Sequence, residues 1–372
     1  MTPPAAKHLP KAAADAVPAP RPAEAAVSDP APVADSPSQA PVTAPRRSAG
    51  AAIFHICRTY SLLILLIASF VLYGTWSRTS GPFLSVDNFR NMAAGQAVLA
   101  VLTLGILIPM VSGHIDLSVG NIAGLSSITT ASMYADHHAS LLVGILVGIA
   151  VGTAVGALNG LLVTTLRVDP FIITLGTASV ILGYIQWFTN GQSIINGIPR
   201  SLIDFGGTNL FGVPKIVFVM LLTAAVVYYV LEHTPYGRNL HAIGSNKAAA
   251  RLVGIRVERT VLSAFALTGA FAGVAGVLLL ANSGSGNPQV GQTFTLTAIA
   301  AAFLGAASFK VGRLNVPGTL VAIFFLAVNI TGLTFAGVQN WINQVFTGLS
   351  LVLAIALAAV LSKERKAKKV SA

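Results

Sequence analysis

Beyond residue 50 the carboxylates of this chain are Asp87, Asp116, Asp136, Asp169, Asp204, Glu232, Glu258 and Glu364. All but Asp116 fall in polar connections or the C-terminal tail. Asp116 stands inside a long apolar tract, where an ionised carboxylate at bilayer depth costs roughly 2.5–3.5 kcal/mol. Two roles answer that cost. The carboxylate can cap a helix restarting near Leu117 or Ser118, whose N-terminal dipole favours an anion, or it can take part in a path for a solute. His114, two residues earlier, is within reach of pairing with it. His137 and His138 are adjacent and so do not make a metal site. The single cysteine, Cys57, excludes a disulfide framework. No Ser/His/Asp constellation, zinc-type His–Glu spacing or phosphate-binding loop occurs, so an integral-membrane enzyme lacks its machinery. No cofactor site is expected in this chain, and any ATP chemistry must come from another polypeptide.

The second chemically distinctive stretch is Pro235 to Glu258, a polar island between long apolar runs. It carries Arg238, Lys247, Arg251 and Arg256 around an Ala-rich segment, Asn246 to Val253, of helix-favouring residue types. Gly244 and Gly254 bracket the segment, and Ser245 or Asn246 can cap its start. The spacing predicts a short cationic helix standing in water.

The apolar tracts also hold neutral polar groups: Gln96, Asn121, Asn159, Thr174, Gln186, Asn190, Asn282, Asn329 and Asn343. Amides and hydroxyls suit a neutral, hydroxyl-rich solute, because hydrogen bonds are exchanged along the path without desolvating a charge. Bonding to a neighbouring helix is the competing use of each.

The elements that must position these groups are membrane helices. Of 372 residues, 54% are hydrophobic and 9% charged, against roughly 25% charged in soluble domains. The formal net charge of +11 gathers beside apolar runs, as topology signals do, and does not indicate nucleic acid. Residues 1–50 hold eleven of the nineteen prolines and no apolar period, so they read as a disordered tail without a cleaved signal peptide. A membrane domain over 51–362 and a basic cytoplasmic tail over 363–372 follow.

The apolar runs are Ile53 to Tyr73, Ala93 to Tyr134, Leu141 to Thr164, Phe171 to Phe188, Pro214 to Leu231, Val261 to Ala281, Phe294 to Phe309, Val316 to Phe335 and Trp341 to Leu361. The second is too long for one crossing and divides only at Ser112 to Gly120, SGHIDLSVG. The reading is an all-α polytopic transmembrane bundle of about ten spans. Threading it from Arg46, Arg47 and Arg58 puts both termini in the cytoplasm with most of the basic connections. Trp76, Trp187 and Trp341 then fall together at the outer interface. Gly144, Gly148, Gly152, Gly156 and Gly160 recur every fourth residue in one span. They form a slowly winding groove for a closely packed helix, with a solute-lining role as the alternative.

Several stretches together resemble the ribose-type permeases of ATP-binding-cassette (ABC) importers. They are SGHIDLSVG at 112–120, DPFIITLGT at 169–177, TNGQSI at 189–194, TPYGRNLHAIGSNKAAARLVGI at 234–255, AIAAAFLGA at 298–306 and VGRLNVPGT at 311–319, in that family's order. The resemblance covers roughly residues 50–362. It implies a bacterial inner-membrane permease that pairs with a second permease chain, two cytoplasmic ABC ATPases and a periplasmic substrate-binding protein. It also implies that the island is the coupling helix that seats in the ATPase, with Gly244, Asn246, Ala249, Ala250, Arg251, Gly254 and Ile255 matching. Two features depart from the pattern: His114 stands where a glycine is usual, and Thr295 and Thr297 stand where acidic residues are usual. The transport-path candidates are therefore Gln96, His114, Asp116, Asn121, Asn159, Thr174, Asn282, Thr295 and Thr297, with no metal site. A pentose or hexose is the expected solute, with a polyol, nucleoside or amino acid as alternatives. An ion-coupled secondary transporter or channel, for which Asp116 is the one candidate ion ligand, is the competing mechanism.

Overall fold

A computed structural model describes residues 59–339 and 341–370, with side chains through 356. The proline-rich tail expected over 1–50, Cys57 and the start of the first apolar run lie outside the described residues. The chain is helical nearly throughout: α1 (Ser61–Thr75), α2 (Ser80–Phe83), α3 (Val86–Val111), α4 (Val119–Ala135), α5 (Leu141–Leu166), α6 (Pro170–Thr189) and α7 (Arg200–Gly207). A hairpin of β1 (Asn209–Leu210) and β2 (Val213–Pro214) follows. Then come α8 (Lys215–His233), α9 (Pro235–Ser245), α10 (Lys247–Leu252), α11 (Val257–Ser283), α12 (Val290–Gly305), α13 (Val316–Phe335) and α14 (Trp341–Val370).

Each of the ten expected apolar segments corresponds to a helix. Six of them, α3, α5, α6, α8, α11 and α13, are long and apolar enough to cross a membrane by themselves. The helices start where the sequence supplies caps. Asp169 accepts from the Phe171 amide at 2.9 Å, with Pro170 in the first turn of α6. Asn315 accepts from the Gly318 amide at 2.8 Å at the head of α13.

Helix α3 is the axis of the bundle. Every residue from Ala97 to Val111 is buried, and its neighbours are α8, α11, α12 and α13. A helix apolar on all faces belongs in such an interior. Around it, α5 lies against α4 and α11 along its glycines. A Cβ on Gly152 would stand 2.5 Å from the Gly269 carbonyl oxygen, and one on Gly156 2.4 Å from that of Phe265. Gly144 and Gly148 instead meet Tyr134 and Thr130 of α4. Gly160 meets Leu262. Lipid offers helices no hydrophobic reason to associate, so this backbone-to-backbone approach supplies the cohesion as van der Waals contact.

Two elements differ from the expectation. The island is not one short helix but two, because Pro235 to Ser245 already forms α9, capped by Thr234. The run expected at Phe294 to Phe309 begins four residues earlier and ends at Gly305. Phe309 has left the helix with φ +61°, and its amide donates to the Thr59 carbonyl at 2.7 Å. Its ring meets that of Tyr60 edge-on. A contact with the start of α1 thus takes apolar residues that local pattern assigns to a span.

Candidate functional site

The site has three parts, the first of which is the break between α3 and α4. Gly113, at φ +84°, turns the chain after Val111. Asp116 is fully buried, and its Oδ1 accepts from the Ser118 amide at 2.8 Å and the Ser118 hydroxyl at 2.6 Å. Its Oδ2 has no partner among the described residues. Asn159 donates to the Ser118 Oγ at 2.8 Å and accepts from the Thr177 hydroxyl at 2.7 Å. Thr174 accepts from the Leu117 amide at 3.1 Å, and Thr295 accepts from the Gly120 amide at 3.2 Å. Asn121 donates to the Ala178 carbonyl at 2.7 Å. Three helices, α5, α6 and α12, thus supply partners to an irregular backbone at membrane depth. His114 bonds Ser112 through Nδ1 at 2.9 Å rather than pairing with Asp116.

The second part is a cavity of about 650 Å³ between α3, α12, α13 and α14, at the end of the bundle remote from α10. Its polar lining is Gln96, Gln292, Thr293, Thr297, Thr331, Asn343, Gln344 and Thr347. Its walls include Phe294, Leu326, Ile330 and Leu351, and among the described residues no charged side chain lines it. The size falls in the roughly 300–1,000 Å³ range of small-molecule sites. Asn343 Oδ1 is buried here without a donor among the described residues.

Of the nine path candidates, only Gln96 and Thr297 line this cavity. Asp116, Asn121, Asn159, Thr174 and Thr295 belong to the break, His114 lies beside it, and Asn282 is exposed at the end of α11. Sequence reasoning passed over Gln292, Thr293, Thr331, Gln344 and Thr347. The i, i+4 pairs Thr293–Thr297 and Asn343–Thr347 were a usable signal, since each puts two polar groups on one helix face.

The third part is α10. Asn246 caps it, accepting from the Ala249 amide at 3.0 Å, and Gly254 follows it at φ +83°. Ala250, 2% exposed, points into the bundle against a cluster containing Val163, Val257, Val261 and the half-buried Ile255. Arg251 pairs with Glu258. The outward tip is apolar instead: Leu252 is 89% exposed and Val253 75%. Gly244 packs on the end of α3.

Apolar helices around an uncharged polar cavity, with a capped cationic helix outside, define a multi-span transport permease. The chain belongs to the permease family described as branched-chain amino acid transport system / permease component, whose pattern it matches over residues 88–355. With it the chain stands among the ribose-type ABC importer permeases that its motifs resemble, as a multi-pass inner-membrane protein. It is 35% identical over 292 residues to the ribose import permease protein RbsC of Bacillus subtilis (strain 168), covering 77% of this chain and 89% of the relative. It is 32% identical over 293 residues to RbsC of Escherichia coli (strain K12), covering 78% and 91%. To the D-allose transport system permease protein AlsC of the same strain it is 30% identical over 305 residues, covering 82% and 92%. No solved structure gives a significant match.

Proposed function

We infer that this chain is the permease subunit of an ABC importer that moves a monosaccharide, a pentose or hexose, into the cytoplasm. The observation that carries the solute class is the charge-free cavity lined with amides and hydroxyls. Such a lining exchanges hydrogen bonds with sugar hydroxyls, whereas an amino acid would bring two charges that nothing there meets. The names of the ribose and allose relatives support the same class.

The ion-coupled alternative is not favoured: Oδ1 of Asp116 is committed to Ser118, and the residue lies away from the cavity. The driving force is therefore assigned to ATP hydrolysed by a partner ATPase that meets the chain at α10. A second permease chain and a periplasmic solute-binding protein complete the assembly, and the chain itself holds no cofactor. Arg167, Arg238, Lys247, Arg251, Lys310 and Arg313 gather at the α10 end. This supports ten spans with that end and both termini cytoplasmic.

Gly348 lines the cavity, and nothing stands within 4 Å of a Cβ built on it. In proteoliposomes carrying the assembled transporter, Gly348→Trp is expected to abolish uptake of labelled monosaccharide without lowering the unfolding midpoint. Uptake at the unsubstituted rate would remove the cavity from the path.

A further inference from the structure

Two hydroxyls of the cavity have already spent their protons. Thr293 donates to the Val290 carbonyl at 2.8 Å and Thr297 to the Thr293 carbonyl at 3.4 Å, so both offer only lone pairs to the space they line. Asn343 goes further. It lines the same space, yet its Oδ1 is buried with no donor among the described residues. The buried asparagines Asn121, Asn159, Asn315 and Asn329 all bond another residue of the chain. An acceptor buried without a donor lowers the stability of every copy that folds, and an apolar side chain of similar shape there would be neutral or better. A group kept against that gradient is expected where its partner arrives from outside.

The position suits such a partner. Asn343, Thr347 and Leu351 stand four residues apart on one face of α14 and all line the cavity, while Val345, Leu349 and Val352 are exposed on the face turned away. No hydrogen bond to a described residue fixes the Asn343 carboxamide. Its terminal torsion is broad and two-fold, so a half-turn brings Oδ1 from the wall to the open space.

We propose that Asn343 is the residue by which the permease itself reads its solute, Oδ1 accepting a hydrogen bond from one particular hydroxyl of the monosaccharide in the cavity. Selectivity is then built into the membrane chain as well as into the soluble solute-binding protein. The proposal deepens the importer reading above and rests on its monosaccharide solute. Asn343→Leu separates fold from contact, because it removes the acceptor while nearly keeping the shape.

The assembled transporter is placed in proteoliposomes with its ATPase and saturating solute-binding protein. Uptake of labelled D-ribose and D-allose is compared with that of their monodeoxy and monodeoxyfluoro forms. In the parent, loss of one hydroxyl is expected to slow uptake by about tenfold, and fluorine at that position, which cannot donate, to do no better. In Asn343→Leu the penalty at that one position should vanish while penalties at other positions persist. The same solute-binding protein serves both permeases, so its own preferences cancel in the ratio. The unfolding midpoint of Asn343→Leu is expected to equal or exceed that of the parent. A pattern of penalties unchanged by Asn343→Leu would overturn the proposal. So would a midpoint lowered by several degrees, which would give the amide a partner within the fold. Failure of the parent to import any of these sugars would instead sink the monosaccharide reading.

Discussion

Gly244 lies against the carbonyl oxygen of Val111 so closely that a Cβ would stand 2.1 Å from it. The polar island is thereby seated directly on the last turn of the axial helix, one residue before the break. Gly244→Ala must push α9 off α3, because the atom its Cβ meets is a backbone carbonyl oxygen that no rotamer change can move. The expected loss is about 1–3 kcal/mol of overpacking, read as a lower unfolding midpoint of the purified permease together with slower uptake. Parent-like values for both would mean that the close seat does not exist.

Asp116 is expected to matter through Ser118. Asp116→Ala strips the acceptor from a buried amide and a buried hydroxyl, a cost of about 2–4 kcal/mol. Asp116→Asn keeps an oxygen at the Oδ1 position and should recover most of that loss. Thermal unfolding of the two variants side by side checks this. If Asn proved as damaging as Ala, the carboxylate would have a role beyond the two bonds to Ser118.

At α10, the exposed tip and the buried face belong to different residues, Leu252 and Ala250. Leu252→Asp places a charge on the exposed tip and is expected to weaken co-purification of the ATPase by about tenfold or more, with the fold intact. Ala250→Trp has no room inside the cluster of Val163, Val257 and Val261. It should lower the unfolding midpoint whether or not the ATPase is present. A Leu252→Asp protein that captures ATPase normally would move the docking surface elsewhere.

His241 gives the α10 end a pH dependence. Burial holds its imidazole below the ordinary value of 6.5, and Arg313 and Lys310 add to this against the opposing pull of Glu232. With the folded value below the unfolded one, the unfolded chain binds more protons in the interval between them. Stability from this site is therefore complete above about pH 6.5 and is lost as pH falls below it. Unfolding midpoints measured between pH 7 and pH 5 should fall less steeply in His241→Gln than in the parent.

Much of this architecture is written locally. The break at Ser112 to Gly120 is legible because Gly113 and Asp116 interrupt an otherwise continuous apolar run. The start of α10 is legible because Asn246 is a strong cap. The glycine repeat of α5 announces a close neighbour, although nothing local says that α4 takes one end of it and α11 the rest. The cavity is illegible for a different reason. Gln96, Thr297, Thr331 and Thr347 come from four helices distant in sequence, and each by itself reads as an ordinary interhelical bond. Phe309 misleads because its contact with the start of α1 lies 250 positions away in sequence.

Helix α3 carries Gln96 on the cavity wall and Val111 under Gly244. The fifteen intervening steps span about 22 Å of one helix, buried at every residue from Ala97 to Val111 and interrupted in its ladder only by Pro109. The Gly105 carbonyl that Pro109 leaves free is taken by the Thr268 hydroxyl at 3.0 Å, so the one place where this shaft could yield is pinned to α11.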